Sequence, residues 1–110
     1  MSAEAPDIGL ISLAEIDRAI HEPARLLLLA HLFGAESADF LYLLRRTGLT
    51  KGNLSAHLRK LEEARYVDVE KTFVERLPLT VYRLTDAGRR AIGTYRRQML
   101  DILAVFDAGA

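Results

Sequence analysis

A chain of 110 residues, 50% hydrophobic and 27% charged, has the size and balance of one globular domain with a modest core, not of a disordered or fibrous protein. The absence of cysteine removes disulfides, thiolate metal sites and cysteine nucleophiles. Formal net charge is +0, which by itself argues against a polyanionic partner, because phosphate binding is driven largely by counterion release from basic surfaces.

The charge is nevertheless segregated. Residues 1–40 carry Glu4, Asp7, Glu15, Asp17, Glu22, Glu36 and Asp39 against Arg18 and Arg25, whereas residues 41–60 carry Arg45, Arg46, Lys51, Arg59 and Lys60 and no acid. Such a window fits an anion-binding surface or an ordinary solvated helix face, and charge alone does not separate the two. No apolar run approaches the roughly 18 residues of a membrane span. The first ten residues carry acids and a proline where a signal peptide carries bases, so a cytoplasmic protein with no membrane attachment is expected.

Residues 1–12 and 107–110 are the expected flexible ends. Leu13, Ile16 and Ile20, spaced three and four apart, predict a short amphipathic first helix over Leu13–Ile20. His21-Glu22-Pro23 interrupts it, and proline suits the first turn of a second helix running to about Phe33, stopped by Gly34. The run Leu26-Leu27-Leu28-Leu29 is too apolar for one stripe, so this helix is expected to be largely buried. Ser37 or Asp39 caps a third helix carrying Phe40, Leu41, Leu43 and Leu44, and Gly48 ends it in a left-handed conformation. Thr50 then caps a fourth, Lys51 to about Ala64, with the stripe Leu54, Leu58 and Leu61. Two helices joined by so short a turn form a helix-turn-helix, whose second member can enter a major groove.

After Tyr66 the period changes to two. Val67, Val69 and Lys71 alternate with Asp68, Glu70 and Thr72, and Thr80–Leu84 gives a second strand rich in β-formers. The connection Phe73–Leu79 contains Pro78 and reads as a projecting loop, the wing. Thr85 and Asp86 start a last helix reaching about Phe106. The fold class is therefore mainly α with a small β-hairpin (α+β). It is a winged helix-turn-helix over 13–84 with an added C-terminal dimerisation helix over 85–106.

With Leu54, Leu58 and Leu61 turned inward, the opposite face of the fourth helix carries Gly52, Asn53, Ala56, Arg59, Lys60 and Glu63, flanked by Ser55 and His57. An amide, a small residue and a helix N-terminus are the groups that approach a groove, donate to phosphate and read base edges. Asn53 is the expected base reader, Arg59 and Lys60 the expected phosphate contacts, with Thr50, Lys51, Gly52, Ser55 and Ala56 on the same surface. His57, beside the apolar stripe, is more naturally a packing and hydrogen-bonding residue. Of the wing cations Lys71, Arg76 and Arg83, Arg76 lies nearest the tip, but Glu75, Leu77 and Leu79 make that tip less basic than a DNA-gripping wing and leave a partner role open.

The stretch from Glu22 to about Leu103 resembles the compact prokaryotic winged-helix regulators related to the MarR-like and ArsR-like repressors. The resemblance is carried by His21-Glu22-Pro23-Ala24-Arg25-Leu26, by Gly48 to Glu62, by Tyr66-Val67 and by Pro78 to Arg89. It implies a transcriptional regulator that places Thr50 to Lys60 in a major groove of double-stranded DNA and the wing near Arg76 on the backbone or minor groove. Such proteins commonly have glycine just after the recognition helix. This chain has Arg65, whose side chain costs on the order of 1 kcal/mol or more if the position is left-handed.

The last helix aligns Ala91, Tyr95, Met99, Ile102 and Phe106, with Ile92, Leu100 and Leu103 beside them, more apolar surface than a small domain covers alone. A homodimer is therefore expected, through Leu13 and Ile16 of the first helix and Ile92, Tyr95, Met99, Ile102, Leu103 and Phe106 of the last, presenting two recognition helices to a pseudo-palindrome. His21, His31 and His57 are scattered, so neither a metal site nor a cofactor is expected. Without a Gly-rich phosphate loop or a nucleophile beside a base, an enzyme is not expected either. Tyr42, Phe33 and Met99 could line a pocket for an unidentified small-molecule effector, although residues of this kind at helical spacing usually fill a core. The competing reading of the whole chain is a winged helix used for protein–protein contact.

Overall fold

The computed structural model describes Gly9 and residues 11–109. The elements follow one another as a 3-10 turn (Leu13–Glu15), α1 (Pro23–Gly34), β1 (Ala38–Asp39), α2 (Phe40–Thr47), α3 (Lys51–Glu63), β2 (Val67–Val74), β3 (Leu77–Leu84) and α4 (Asp86–Ala108). The three strands form an antiparallel sheet in the order β1-β3-β2.

Local chemistry accounts for most boundaries. Glu22 caps α1 by accepting from the amides of Ala24 (3.2 Å) and Arg25 (2.8 Å), just ahead of Pro23. Asp39, not Ser37, caps α2 through the Tyr42 amide at 2.8 Å, and Gly48 closes that helix at φ 71°, a conformation a Cβ would strain. Thr50 caps α3 through the Asn53 amide at 3.2 Å, and Thr85 caps α4 through the Gly88 amide at 2.9 Å.

The core joins Ile20 to Leu28, Leu29 and Leu32 of α1, Leu43 of α2, Leu54, Leu58 and Leu61 of α3, and Val67 and Tyr82 of the sheet. Each fully buried leucine contributes roughly 1.5–3 kcal/mol by leaving water, so the α3 stripe fixes that helix firmly and turns its other side outward. Gly88 packs the start of α4 on the α3–β2 corner, where an added Cβ would collide with the Tyr66 carbonyl oxygen and lie 2.8 Å from Leu84 Cδ1.

Four expectations are corrected. Leu13–Ile20 is no helix: after the 3-10 turn, Asp17 takes over, its carboxylate accepting from the Ala19 amide at 2.9 Å and its carbonyl from the amides of Ile20 and His21. A short polar side chain that bonds its own backbone competes with helix in this way. α1 is only half buried, with Leu26, Leu27 and Phe33 exposed. Residues Phe73–Leu79 are not a loop, because β2 and β3 pair from Val67↔Leu84 to Val74↔Leu77 around a two-residue turn, Glu75-Arg76. Both turn residues have positive φ, 51° and 70°, the geometry that matches strand twist. Pro78 is tolerated because it faces Phe73 in the second pair from the turn, where the N–H points away from β2, towards an edge that β1 reaches only at Val81 and Tyr82. Finally, α4 continues to Ala108, two residues into the expected tail.

Ala64, the first residue past α3, is still right-handed, and the residue after it is left-handed. Arg65 has φ 64°, its amide donates to the Glu62 carbonyl at 2.9 Å, and the Tyr66 amide to the Leu61 carbonyl at 3.0 Å.

Candidate nucleic-acid interface

The side of α3 opposite its leucines is uncovered. Thr50, Lys51, Gly52, Asn53, Ser55, Ala56, Arg59 and Lys60 are all exposed, as is Arg76 at the hairpin turn. The first turn of α3 leaves the Lys51 and Gly52 amides without intrahelical acceptors, so partial positive charge is concentrated where a groove would be met. A Cβ added at Gly52 would meet none of the described residues within 4 Å.

Tertiary structure groups residues that are distant in sequence. Ser55, Arg59 and Glu62 of α3 line one groove with Val69, Lys71 and Tyr82 of the hairpin, which brings the wing cation Lys71 beside Arg59. On the other flank, Lys60 and Glu63 share a depression with Arg18 and Arg25. Arg18 was not singled out by sequence reasoning, since it sits in an acid-rich segment and joins this surface only through the turn before α1.

His57 belongs to a bonded cluster instead of the open face. Its Nδ1 lies 3.1 Å from Arg25 Nη1 and 3.5 Å from Glu22 Oε2, and Arg25 also donates to the carbonyls of Ala19 (2.6 Å) and Arg18 (3.1 Å). Partial burial works to raise the Glu22 carboxyl, but the Arg25 and Ala24 amide hydrogen bonds and the His57 and Arg25 charges outweigh it and hold its pKa below the usual carboxylate value. The cap of α1 is thereby tied to the middle of α3. Of the other histidines, His21 Nδ1 lies 2.8 Å from the Tyr95 hydroxyl and His31 packs edge-on against Tyr42 at 6.4 Å. Among the described residues no group of three or more His, Asp or Glu could hold a metal ion.

The expected dimer residues divide. Tyr95 is only 7% exposed and lies in the chain's own core, so it is corrected from interface to packing residue. Ile16, Ile92 and Met99 also pack against that core, Ile102 is half-buried, and Leu13, Leu103 (54%) and Phe106 (68%) stay exposed. The apolar surface of Leu26, Leu29, Ala30 and Phe33 on α1 faces Ile92 and Arg96 of α4 across a groove of about 310 Å³. Tyr42 lies in a different depression, with Leu79 and Val81, so Tyr42 and Phe33 do not share a pocket.

A capped helix-turn-helix, an exposed α3 edge with basic residues on both flanks and a β-ribbon beside it together define a winged helix module. The chain belongs to the winged helix DNA-binding domain family, whose family model matches residues 24–103. It is 37% identical over 78 residues to an uncharacterized protein of Methanocaldococcus jannaschii, covering 71% of this chain and 85% of that one. Among solved structures it is similar to a transcriptional regulator homologue of Pyrococcus horikoshii, with TM-score 0.69, 30% identity and coverage of 84% of this chain and 88% of that one. A candidate MarR-family regulator of Enterococcus faecalis matches with TM-score 0.68, 25% identity and 84% of each chain. No helix among the described residues is long and apolar enough to cross a membrane.

Proposed function

We propose that this protein is a sequence-specific transcriptional regulator that acts in the cytoplasm as a homodimer and has no catalytic activity. In this reading α3 enters a major groove, Asn53 reads a base edge, and Arg59, Lys60 and the amides of Lys51 and Gly52 hold phosphates. Thr50, Ser55 and Ala56 complete the helix contact, and the wing around Arg76 reaches the neighbouring minor groove. The observation that carries it is the exposed edge of α3 opposite its leucine stripe, with Arg59 and Lys71 in one groove. The domain 13–84 would bind DNA, while Leu13, Ile102, Leu103 and Phe106 would join two copies at the α4 end. The α1–α4 groove, apolar with Arg96 at its rim, is the place for a small-molecule effector.

The test is the salt dependence of binding to duplex DNA. Affinity should fall with log salt at a slope of about −0.9 per phosphate contact, and Arg59→Ala should shrink that slope by about one. Absence of any salt-dependent binding would favour the second reading, a module for protein–protein contact, which the exposed apolar hairpin tip suits.

A further inference from the structure

The hairpin tip carries an apolar cluster that the DNA contacts described so far leave unused. Phe73 and Leu77 are 70% and 69% exposed, and Val74 and Pro78 beside them are also exposed. A ribbon end that water could surround on all sides is a costly place for four apolar side chains, and such patches mark contact sites. The turn itself joins Glu75 to Arg76, so its formal charges cancel and the tip offers apolar contact more than charge.

Register splits these residues between the two faces of the ribbon, Phe73 with Pro78 on one and Val74 with Leu77 on the other. Phe73 pairs with Pro78, Lys71 with Thr80 and Val69 with Tyr82, so Phe73 shares a sheet face with the residues that line the α3 groove. From the level of Val69, beside Arg59, the ribbon extends to its turn between residues 75 and 76, about 20 Å at roughly 3.3 Å per residue. The minor groove next to an occupied major groove lies half a helical turn away, about 17 Å. With α3 in a major groove, a ribbon of this length would bring the tip to that minor groove, with Phe73 on the face turned towards α3 and Pro78 stiffening the neighbouring strand.

We propose that Phe73 is a wedge that inserts from the minor groove between two base pairs, unstacking one step and bending the duplex around α3. Side chains of this kind act so when held on a rigid support, and the paired two-residue turn supplies one. Sequence preference at the wedge would come from deformability, favouring the easily unstacked TA or CA steps about half a turn from the bases that α3 reads. This inference rests on the proposed DNA binding, and the experiment separates the two.

Duplexes selected by the full-length protein from a random pool, carrying a fluorophore at each end, report affinity by anisotropy and bending by energy transfer. Wild-type protein should raise the transfer on binding. Phe73→Ala should bind about tenfold more weakly, with an unchanged salt slope, and should abolish the rise in transfer, while Phe73→Leu keeps most of it. Phe73 is exposed, so these variants should melt like wild type. Bending by Phe73→Ala equal to wild type overturns the wedge and leaves DNA binding standing. Unchanged bending with a lower sedimentation coefficient of the free protein overturns it in favour of a contact between copies. Failure of wild type to select any duplex overturns both.

Discussion

Replacing Arg65 with glycine should stabilise the protein. The left-handed φ of 64° places the Arg65 Cβ against the backbone, a cost of about 1–2 kcal/mol for an L-residue. Part of the relief is returned as the extra entropy of glycine in the unfolded chain, about 0.5–1 kcal/mol, leaving a net gain of about 1 kcal/mol. The closing bonds survive the change, because the Arg65 amide to Glu62, the Tyr66 amide to Leu61 and the Thr85 hydroxyl to the Arg65 carbonyl at 2.7 Å use only the main chain of residue 65. At about 2.1 cal/mol/K of unfolding entropy per residue, a 110-residue chain should gain about 4 °C in Tm. Calorimetry at one fixed protein concentration measures this, since the Tm of an oligomer moves with concentration. Arg65→Ala is the control: it keeps the Cβ and should give no gain. A Tm for Arg65→Gly at or below wild type, or an equal rise for Arg65→Ala, would refute backbone strain as the cause.

Three more outcomes are expected. Gly88→Ala should lower stability by about 1–3 kcal/mol, because its Cβ meets the Tyr66 carbonyl and Leu84; an unchanged urea midpoint would mean the corner is not tightly packed. The hydrogen bond to Asp17, then burial and the Asp17 charge, push the Tyr66 phenol from 10.0 up to about 12. The unfolded chain thus loses that proton first, so the contribution of Tyr66 to stability is complete below pH 10 and fades as pH rises to about 12. Asp17→Asn should bring the phenolate transition down towards 10, read as ultraviolet absorbance against a Tyr66→Phe baseline, and an unmoved transition would exclude the pair. Leu103→Asp with Phe106→Asp should convert a dimer to monomer, given roughly 1.5–3 kcal/mol for each such side chain buried. Wild-type protein sedimenting as a monomer at micromolar concentration would end the homodimer reading.

Wherever a local rule was sufficient, the residues alone specified the outcome. Pro23 at a helix start, Thr50 and Thr85 as caps, Gly48 as a left-handed stop and the Leu54, Leu58, Leu61 stripe each act within one helical turn, and each element appears where expected. The outward edge of α3 was legible for the same reason, since an inward stripe fixes its opposite face. The helix expected at Leu13–Ile20 gives way to another local rule, the Asp17 side chain bonding nearby backbone.

Decisions that depended on distant partners could not be read along the chain. Tyr95 sits on a helical stripe that serves equally for a dimer or a core, and its position beside His21 and the core settles it as packing. Pro78 argues against a strand until the neighbour is known, and it is accommodated because its missing N–H faces the stretch of that edge beyond the end of β1. Arg59 and Lys71, twelve residues apart, come to line one groove with Glu62, and Arg18 meets Lys60, only because the sheet and the turn before α1 fold back on α3. Periodicity and capping therefore determined which elements form and which way α3 faces. Tertiary packing decided which apolar residues remain for partners, because burial depends on the neighbours that other parts of the chain bring.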